Sequence, residues 1–115
     1  LFGFPLRSPY AASKWAVIGI TKTLAMELGE FDIRVNAISP GAVSGDRINR
    51  VIEAKAKSLN ISQDVLKKDY ESMVSLKTFV EKEDIANMAV FLLSDEAQKI
   101  SGQILTVDGN TERMN

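Results

Sequence analysis

The sequence predicts an α/β fold, and three local patterns support that assignment. A long apolar helix comes first, a short β-branched strand ending at a Pro-Gly pair follows it, and a second strand lies near residue 105. A strand that follows a helix and ends in a glycine-containing loop is typical of α/β sheets, in which ligands bind beyond the carboxyl ends of the strands. A length of 115 residues fits one small domain.

The first helix is predicted over Tyr10–Leu28, where apolar side chains recur at helical spacing. Val17, Ile20 and Leu24 lie in one row. Further apolar residues occupy much of the remaining surface, so we expect this helix to be buried on more than one side. Gly29 is predicted to end the helix in the left-handed conformation.

The two strands are predicted from short apolar runs rich in β-branched residues. The first covers Ile33–Ile38 and is stopped by Pro40-Gly41. The second covers Gln103–Val107, follows a turn at Ser101-Gly102, and leads into a tail that starts at Asp108.

Three shorter helices are predicted between and beside these strands. The charged stretch Ser44–Ser75 contains an amphipathic helix around Ile48–Ala56 and a second helix that Ser62 can cap. A further amphipathic helix covers Glu83–Leu93, and acidic residues at its start suit the positive end of the helix dipole. We therefore interpret residues 44–75 as a helical excursion or lid.

Composition excludes several classes of function. The formal net charge is −1, which gives no electrostatic case for a nucleic-acid partner. The chain has no cysteine and no histidine, so we predict no disulfide, no metal site and no histidine base. The longest apolar runs are far shorter than the roughly 20 residues that span a bilayer. We therefore expect no membrane association and a cytoplasmic location.

The remaining acid/base candidates include a tyrosine and a lysine on one helical face. Tyr10 and Lys14 are four residues apart, and such residues are neighbours on a helix surface. Tyrosine has an ordinary pKa of about 10 and is a poor base at neutral pH. A nearby ammonium favours the phenolate, and the pair could then exchange a proton with a hydroxyl or carbonyl group. A solvated helical pair has the same spacing, so the pattern alone leaves both interpretations open.

Several motifs in fixed order resemble the C-terminal half of the classical short-chain dehydrogenase/reductases. They are Ser8-Pro9-Tyr10-Ala11-Ala12-Ser13-Lys14, Leu24-Ala25-Met26-Glu27-Leu28, Ile33-Arg34-Val35-Asn36-Ala37-Ile38-Ser39-Pro40-Gly41, Ser101-Gly102-Gln103 and Val107-Asp108-Gly109. The resemblance implies that residues 1–115 form the C-terminal part of one doubly wound, parallel, Rossmann-like NAD(P)-binding domain. The N-terminal cofactor-binding half would be absent from these residues.

The resemblance also implies roles for particular residues. Tyr10 would be the general acid/base, and Lys14 would hold the nicotinamide ribose and favour the tyrosine phenolate. Pro40, Gly41 and Val43 would line the nicotinamide, with the backbone at Val43 binding its carboxamide. Residues 44–77 would form the substrate lid. The expected cofactor-binding set is therefore Tyr10, Lys14, Pro40, Gly41 and Val43.

The activity implied is the NAD- or NADP-dependent interconversion of a secondary alcohol and a ketone in a dimer or tetramer of identical subunits. Residues 1–115 alone would be inactive, because the family's glycine-rich turn, catalytic serine and catalytic asparagine would lie upstream of Leu1. Two alternatives remain: a 3-oxoacyl carrier-protein reductase, and a catalytically incompetent fragment that acts only in oligomerisation.

Some features depart from the family pattern or have a simpler explanation. The usual paired glycines after the final Val-Asp are Gly109-Asn110 here. Pro40-Gly41 could be a strand stop only. Arg47 and Arg50 at the lid edge could meet an anionic substrate, although solvated helix charges are the simpler explanation. The same alternative holds for the lid lysines that could attract an acidic carrier protein: Lys55, Lys57, Lys67 and Lys68.

Overall fold

The computed structural model describes residues 3–112 and confirms the α/β class. Two strands form a parallel sheet, because Ala37 N–H donates to the Gln103 carbonyl and Gly41 N–H donates to the Val107 carbonyl. No helix within residues 3–112 is long and apolar enough to cross a membrane. The elements are α1 (Ser8–Leu28), β1 (Ala37–Pro40), α2 (Asp46–Leu59), α3 (Gln63–Ser72), α4 (Lys82–Leu93) and β2 (Ile104–Val107), with 3₁₀ turns at Gly29–Phe31 and Asp95–Ala97.

The chain divides into two compact units that are each built from two stretches of sequence. The first unit contains the chain before Ser39 together with Phe91–Leu105. The second contains Ser39–Val90 together with the chain after Leu105. The first unit therefore holds α1 and the candidate Tyr10–Lys14 pair, and the second holds α2, α3 and the loop after β1.

Helix α1 confirms the long predicted helix, but the expectation about how it ends is wrong. Gly29 has φ −60° and continues into a 3₁₀ turn, and the left-handed residue that ends the turn is Asp32, with φ 59°. Ile20 and Met26 are 58% and 84% exposed within the described residues, so the burial of α1 on more than one side stays a prediction about the rest of the protein. The described chain supplies packing partners to only part of the helix circumference.

Strand β1 begins later than its sequence predicts. Val35 and Asn36 are held by side-chain and loop hydrogen bonds in place of a strand ladder. Val35 N–H donates to Ser101 Oγ at 3.1 Å, and the Asn36 amide donates to the Ile100 carbonyl at 2.9 Å. The regular ladder starts at Ala37 and ends at Pro40, which is tolerated there because an end position needs no ladder N–H. The Asn36 side chain has a structural role, since its amide bonds the Ile100 carbonyl and its oxygen accepts from Gln103 N–H.

Arg34 joins the chain before β1 to the end of α4. Its guanidinium donates to the carbonyls of Leu92, Ser94 and Ala97, the last at 2.9 Å. Carbonyls in the last turn of a helix have no partner within the helix. The guanidinium has five N–H donors in one plane, so it can bond three carbonyls that come from the end of α4 and the turn after it.

We expect Arg34→Met to lower the free energy of unfolding by about 1–3 kcal/mol, because it leaves the Leu92 carbonyl without a donor. The Ser94 and Ala97 carbonyls lose a charged donor but keep the backbone N–H groups of Ala97 and Ile100. The matched control is Lys22→Met, which removes one exposed cation-to-carbonyl bond, from Lys22 Nζ to the Gly102 carbonyl, and should cost less than about 1 kcal/mol. Urea unfolding of the full-length protein measures both changes. Equal losses in the two variants would contradict the role assigned to Arg34.

Helices α2 and α3 confirm the predicted helical excursion and pack around a small core of their own. Ser62 caps α3, since its side chain accepts from Val65 N–H, as predicted. The core contains four buried apolar residues, against which Ile48 and Tyr70 also pack: Ile52, Ala56, Leu66 and Phe79. The assignment of residues 44–77 to a substrate lid stays a prediction.

The segment after β2 is bonded to the loop after α3 and does not form a simple tail. Ser75 N–H donates to the Asn110 carbonyl at 2.8 Å, and Glu112 N–H donates to the Met73 carbonyl at 2.8 Å. Asn110 takes a left-handed conformation, with φ 65°, and its side-chain amide donates to Ser75 Oγ. This bond occupies a position where the family resemblance implies glycine.

Candidate functional site

Tyr10 and Lys14 lie in the first two turns of α1. Pro9 is the second residue of the helix and is tolerated there, because its missing N–H would have had no helical partner. The Lys14 ammonium lies 5.3 Å from the centroid of the Tyr10 ring, and both side chains are half-buried. The structure thus brings the predicted pair together on one face of the helix.

Two residues before the helix also contact the Tyr10 ring. The Phe4 ring meets it edge to face, with centroids 4.9 Å apart and planes at 87°. The guanidinium carbon of Arg7 lies 4.2 Å from its centroid. Sequence reasoning missed both contacts. The available signal was the three-residue spacing of Arg7 and Tyr10 at a helix start, where such residues are neighbours.

The other predicted cofactor residues lie in the loop after β1, which is held from two sides. Gly41 N–H donates to the Val107 carbonyl at the end of β2. Two further bonds link the loop to Val80, because Val80 N–H donates to the Ala42 carbonyl and Ser44 N–H donates to the Val80 carbonyl. Val43 therefore forms an isolated parallel bridge with Val80.

This bridge leaves the peptide groups of Val43 available. In a parallel ladder, the residues on either side of a bridged residue bond to its partner, and its own N–H and C=O point the opposite way. Within residues 3–112, Val43 N–H and C=O have no hydrogen bond to another residue. A pinned strand-like segment with a free donor and acceptor suits a carboxamide, which has one acceptor and two donors.

Gly41 is required by a close approach between the ends of the two strands. A Cβ at this position would lie 2.6 Å from Cβ and 2.8 Å from Cα of Asp108. The two strand ends can meet here only because residue 41 has no side chain. The packing of the two strand ends therefore requires glycine at position 41, independently of its predicted place beside the cofactor.

Cations dominate the surroundings of Tyr10. Within the part of the chain that the structure describes, the one ion pair joins Lys67 to Glu71, on α3. No group of three acidic residues there could hold a metal ion. Arg7 and Lys14 thus have no carboxylate partner in residues 3–112.

Comparisons with known proteins decide the family. A family model described as Enoyl-(Acyl carrier protein) reductase matches residues 2–110. A 3α-hydroxysteroid dehydrogenase of Mediterraneibacter gnavus is 42% identical over 109 residues, which are 95% of this chain and 39% of the relative. The chain belongs to the short-chain dehydrogenase/reductase family. A second member, the 3-oxoacyl-[acyl-carrier-protein] reductase of Thermotoga maritima, is 37% identical over 95% of this chain and 40% of its own length.

Solved structures of this short-chain dehydrogenase/reductase family share the fold of the chain. A family protein from Francisella tularensis superposes with a TM-score of 0.88 at 33% identity, covering 95% of this chain and 45% of that one. A variant of actinorhodin polyketide ketoreductase, solved with NADPH, superposes with a TM-score of 0.87 at 29% identity, over 98% and 43% of the two chains. The chain spans about two fifths of the length of the curated relatives it matches.

Proposed function

We propose that this chain is part of an NAD- or NADP-dependent oxidoreductase that interconverts a secondary alcohol and a ketone. The observation that supports this most is the Tyr10–Lys14 pair, whose ammonium-to-ring distance is 5.3 Å, in a member of this family. The named relatives act as a hydroxysteroid dehydrogenase and a 3-oxoacyl reductase, which share alcohol–ketone chemistry.

Tyr10 acts as the general acid/base. In the direction of reduction, the phenol donates its proton to the carbonyl oxygen while the carbonyl carbon receives a hydride and the C=O π bond breaks. Solvent then returns a proton to the phenolate. The Lys14 ammonium lies 5.3 Å from the ring centroid and so places a positive charge next to the group that exchanges the proton.

The backbone groups after β1 match the hydrogen-bonding groups of a nicotinamide. When bound, the nicotinamide would supply or accept the hydride. Val43 offers a free N–H and C=O to a carboxamide, and Pro40 and Gly41 shape the backbone that leads to it. Lys14 offers donors to ribose hydroxyls. These roles follow the family resemblance, and the backbone geometry supports them.

Cofactor titration and turnover of the full-length protein test the proposal. We expect quenching or shift of reduced-nicotinamide fluorescence on binding, and loss of its absorbance with a panel of ketones. Secondary alcohols with oxidised cofactor should run the reaction in reverse. Failure to bind either cofactor, together with no turnover in either direction, would contradict the proposal and favour a role in oligomerisation alone.

A second candidate function is reduction of 3-oxoacyl groups on a carrier protein. Four relatives that are 37% to 41% identical to this chain carry that name. Turnover of a 3-oxoacyl carrier-protein thioester that greatly exceeds turnover of free ketones would support it. The homo-oligomer, which the family resemblance implies, and the expected cytoplasmic location remain predictions.

A further inference from the structure

Arg7 is an exposed cation beside the proposed catalytic tyrosine that the proposed reaction does not use. Its guanidinium carbon lies 4.2 Å from the Tyr10 ring centroid, closer than the Lys14 ammonium at 5.3 Å. Within residues 3–112 its guanidinium has neither an ion pair nor a hydrogen bond. An arginine with five unused donors next to reacting groups is well suited to bind a carboxylate or phosphate in a bidentate manner.

The surroundings of Arg7 add to its preference for an anion. Arg7 is the N-cap residue of α1, which has 21 residues, no acidic residue in its first turn and no side-chain cap. The N-terminus of a helix carries a partial positive charge and favours negative groups. Arg7 and Lys14 both lie against the same ring, so two full charges and a helix dipole act together.

We propose that Arg7 binds the anionic group of the substrate, and that the substrate is a short oxo acid or its hydroxy-acid product. This inference rests on the proposed function, because Tyr10 must contact the carbonyl oxygen. The guanidinium lies over the ring from whose edge the phenolic oxygen projects, so the two groups are close. A ligand that contacts both therefore carries its carboxylate only a few bonds from the reacting carbon.

Turnover of a charged substrate and of a neutral substrate of nearly equal size can be compared to test whether Arg7 binds an anionic group. Acetoacetate and acetoacetamide share the reacting ketone and nearly the same shape, but only the first carries a carboxylate. We expect the full-length protein to prefer acetoacetate in kcat/KM. In Arg7→Met that preference should fall by roughly 10- to 100-fold, the effect of losing a hydrogen-bonded charge pair. The loss should lie mainly in KM, because the contact is present before and during the reaction.

Two further variants make the result specific. Arg7→Lys keeps the charge but loses the bidentate geometry, so it should restore part of the preference. Lys99→Met removes another exposed cation, one outside the candidate site and the predicted lid, and should leave the preference unchanged. Cofactor KM values for NADH and NADPH should be the same in wild type and Arg7→Met. A rise in cofactor KM alone would show that Arg7 binds a cofactor phosphate, and would overturn the substrate assignment.

The failure of this inference differs from the failure of the proposed function. No turnover of any ketone and no binding of either cofactor would reject the oxidoreductase itself. Turnover of neutral ketones without a preference for acetoacetate would reject only the role of Arg7. Equal losses on acetoacetate and acetoacetamide in Arg7→Met would also reject it, since they would mean that Arg7 only positions the Tyr10 ring. An equal loss of the preference in Lys99→Met would reject it as well, since it would mean that the overall positive charge of the protein, and not a contact with Arg7, attracts the anion.

Discussion

Replacing Tyr10 by phenylalanine is expected to lower kcat of the full-length protein by about 10²- to 10⁴-fold, the usual contribution of a positioned general acid/base. Phenylalanine keeps the ring that packs against Phe4, Arg7 and Lys14, and it removes only the hydroxyl. Because the proton moves only in the reaction itself, kcat and kcat/KM should fall together while KM changes little. Steady-state kinetics with a ketone and reduced cofactor measure this effect.

Ser13→Ala is the matched control for that variant. It removes a hydroxyl from the same turn of α1, but Ser13 Oγ donates to the Tyr10 carbonyl at 2.8 Å and is used by the helix backbone. We expect kcat to stay within about threefold of wild type, as for most surface changes away from special features. Full activity of Tyr10→Phe would remove Tyr10 from the mechanism. An equal loss in Ser13→Ala would mean that the turn, and not the phenol, is what the reaction needs.

The helices could be predicted more closely than the strands, for a physical reason. Helix α3 depends on local signals, such as the Ser62 cap and an apolar row, and both lie within a few residues of each other. Strand β1 depends on a distant partner. The backbone of Val35 is bonded to Ser101 and Gly102, which are more than sixty residues away in sequence, and these contacts delay the ladder until Ala37. A local propensity for strand cannot show where such contacts end.

The candidate site shows the same limit. The Tyr10–Lys14 pair follows from spacing along one helix and could be predicted. The need for glycine at position 41 depends on Asp108, and the free peptide groups of Val43 depend on its bridge to Val80. These contacts join residues far apart in the chain, so sequence supplied only the family resemblance for them. The Arg7 contact is local, yet no motif contains it.

Gly41→Ala is expected to have the largest effect on stability among the glycine positions outside the left-handed region. The new Cβ would lie 2.6 Å from Cβ of Asp108, a distance that real Cβ atoms do not tolerate. Relief requires movement of the backbone at the ends of β1 and β2. Overpacking of this kind costs about 1–3 kcal/mol. Because Val43 follows two residues later, cofactor affinity should also fall, by roughly tenfold for each 1.4 kcal/mol of binding energy lost.

Gly29→Ala is the matched control, because it measures the effect of replacing glycine by alanine where the new Cβ causes no clash. Gly29 has φ −60° and ψ −35°, and a Cβ there would meet no atom within 4 Å in the described structure. Alanine at a compatible glycine position stabilises by about 0.4–1 kcal/mol, since it restricts the unfolded chain. The two variants should therefore shift the urea midpoint in opposite directions, and only Gly41→Ala should weaken cofactor binding. A stable Gly41→Ala protein with unchanged affinity for NADH and NADPH would show that the β1 end and Asp108 can separate without cost. In that case, neither the stability of the loop after β1 nor its binding of the cofactor would depend on the close approach of Gly41 to Asp108.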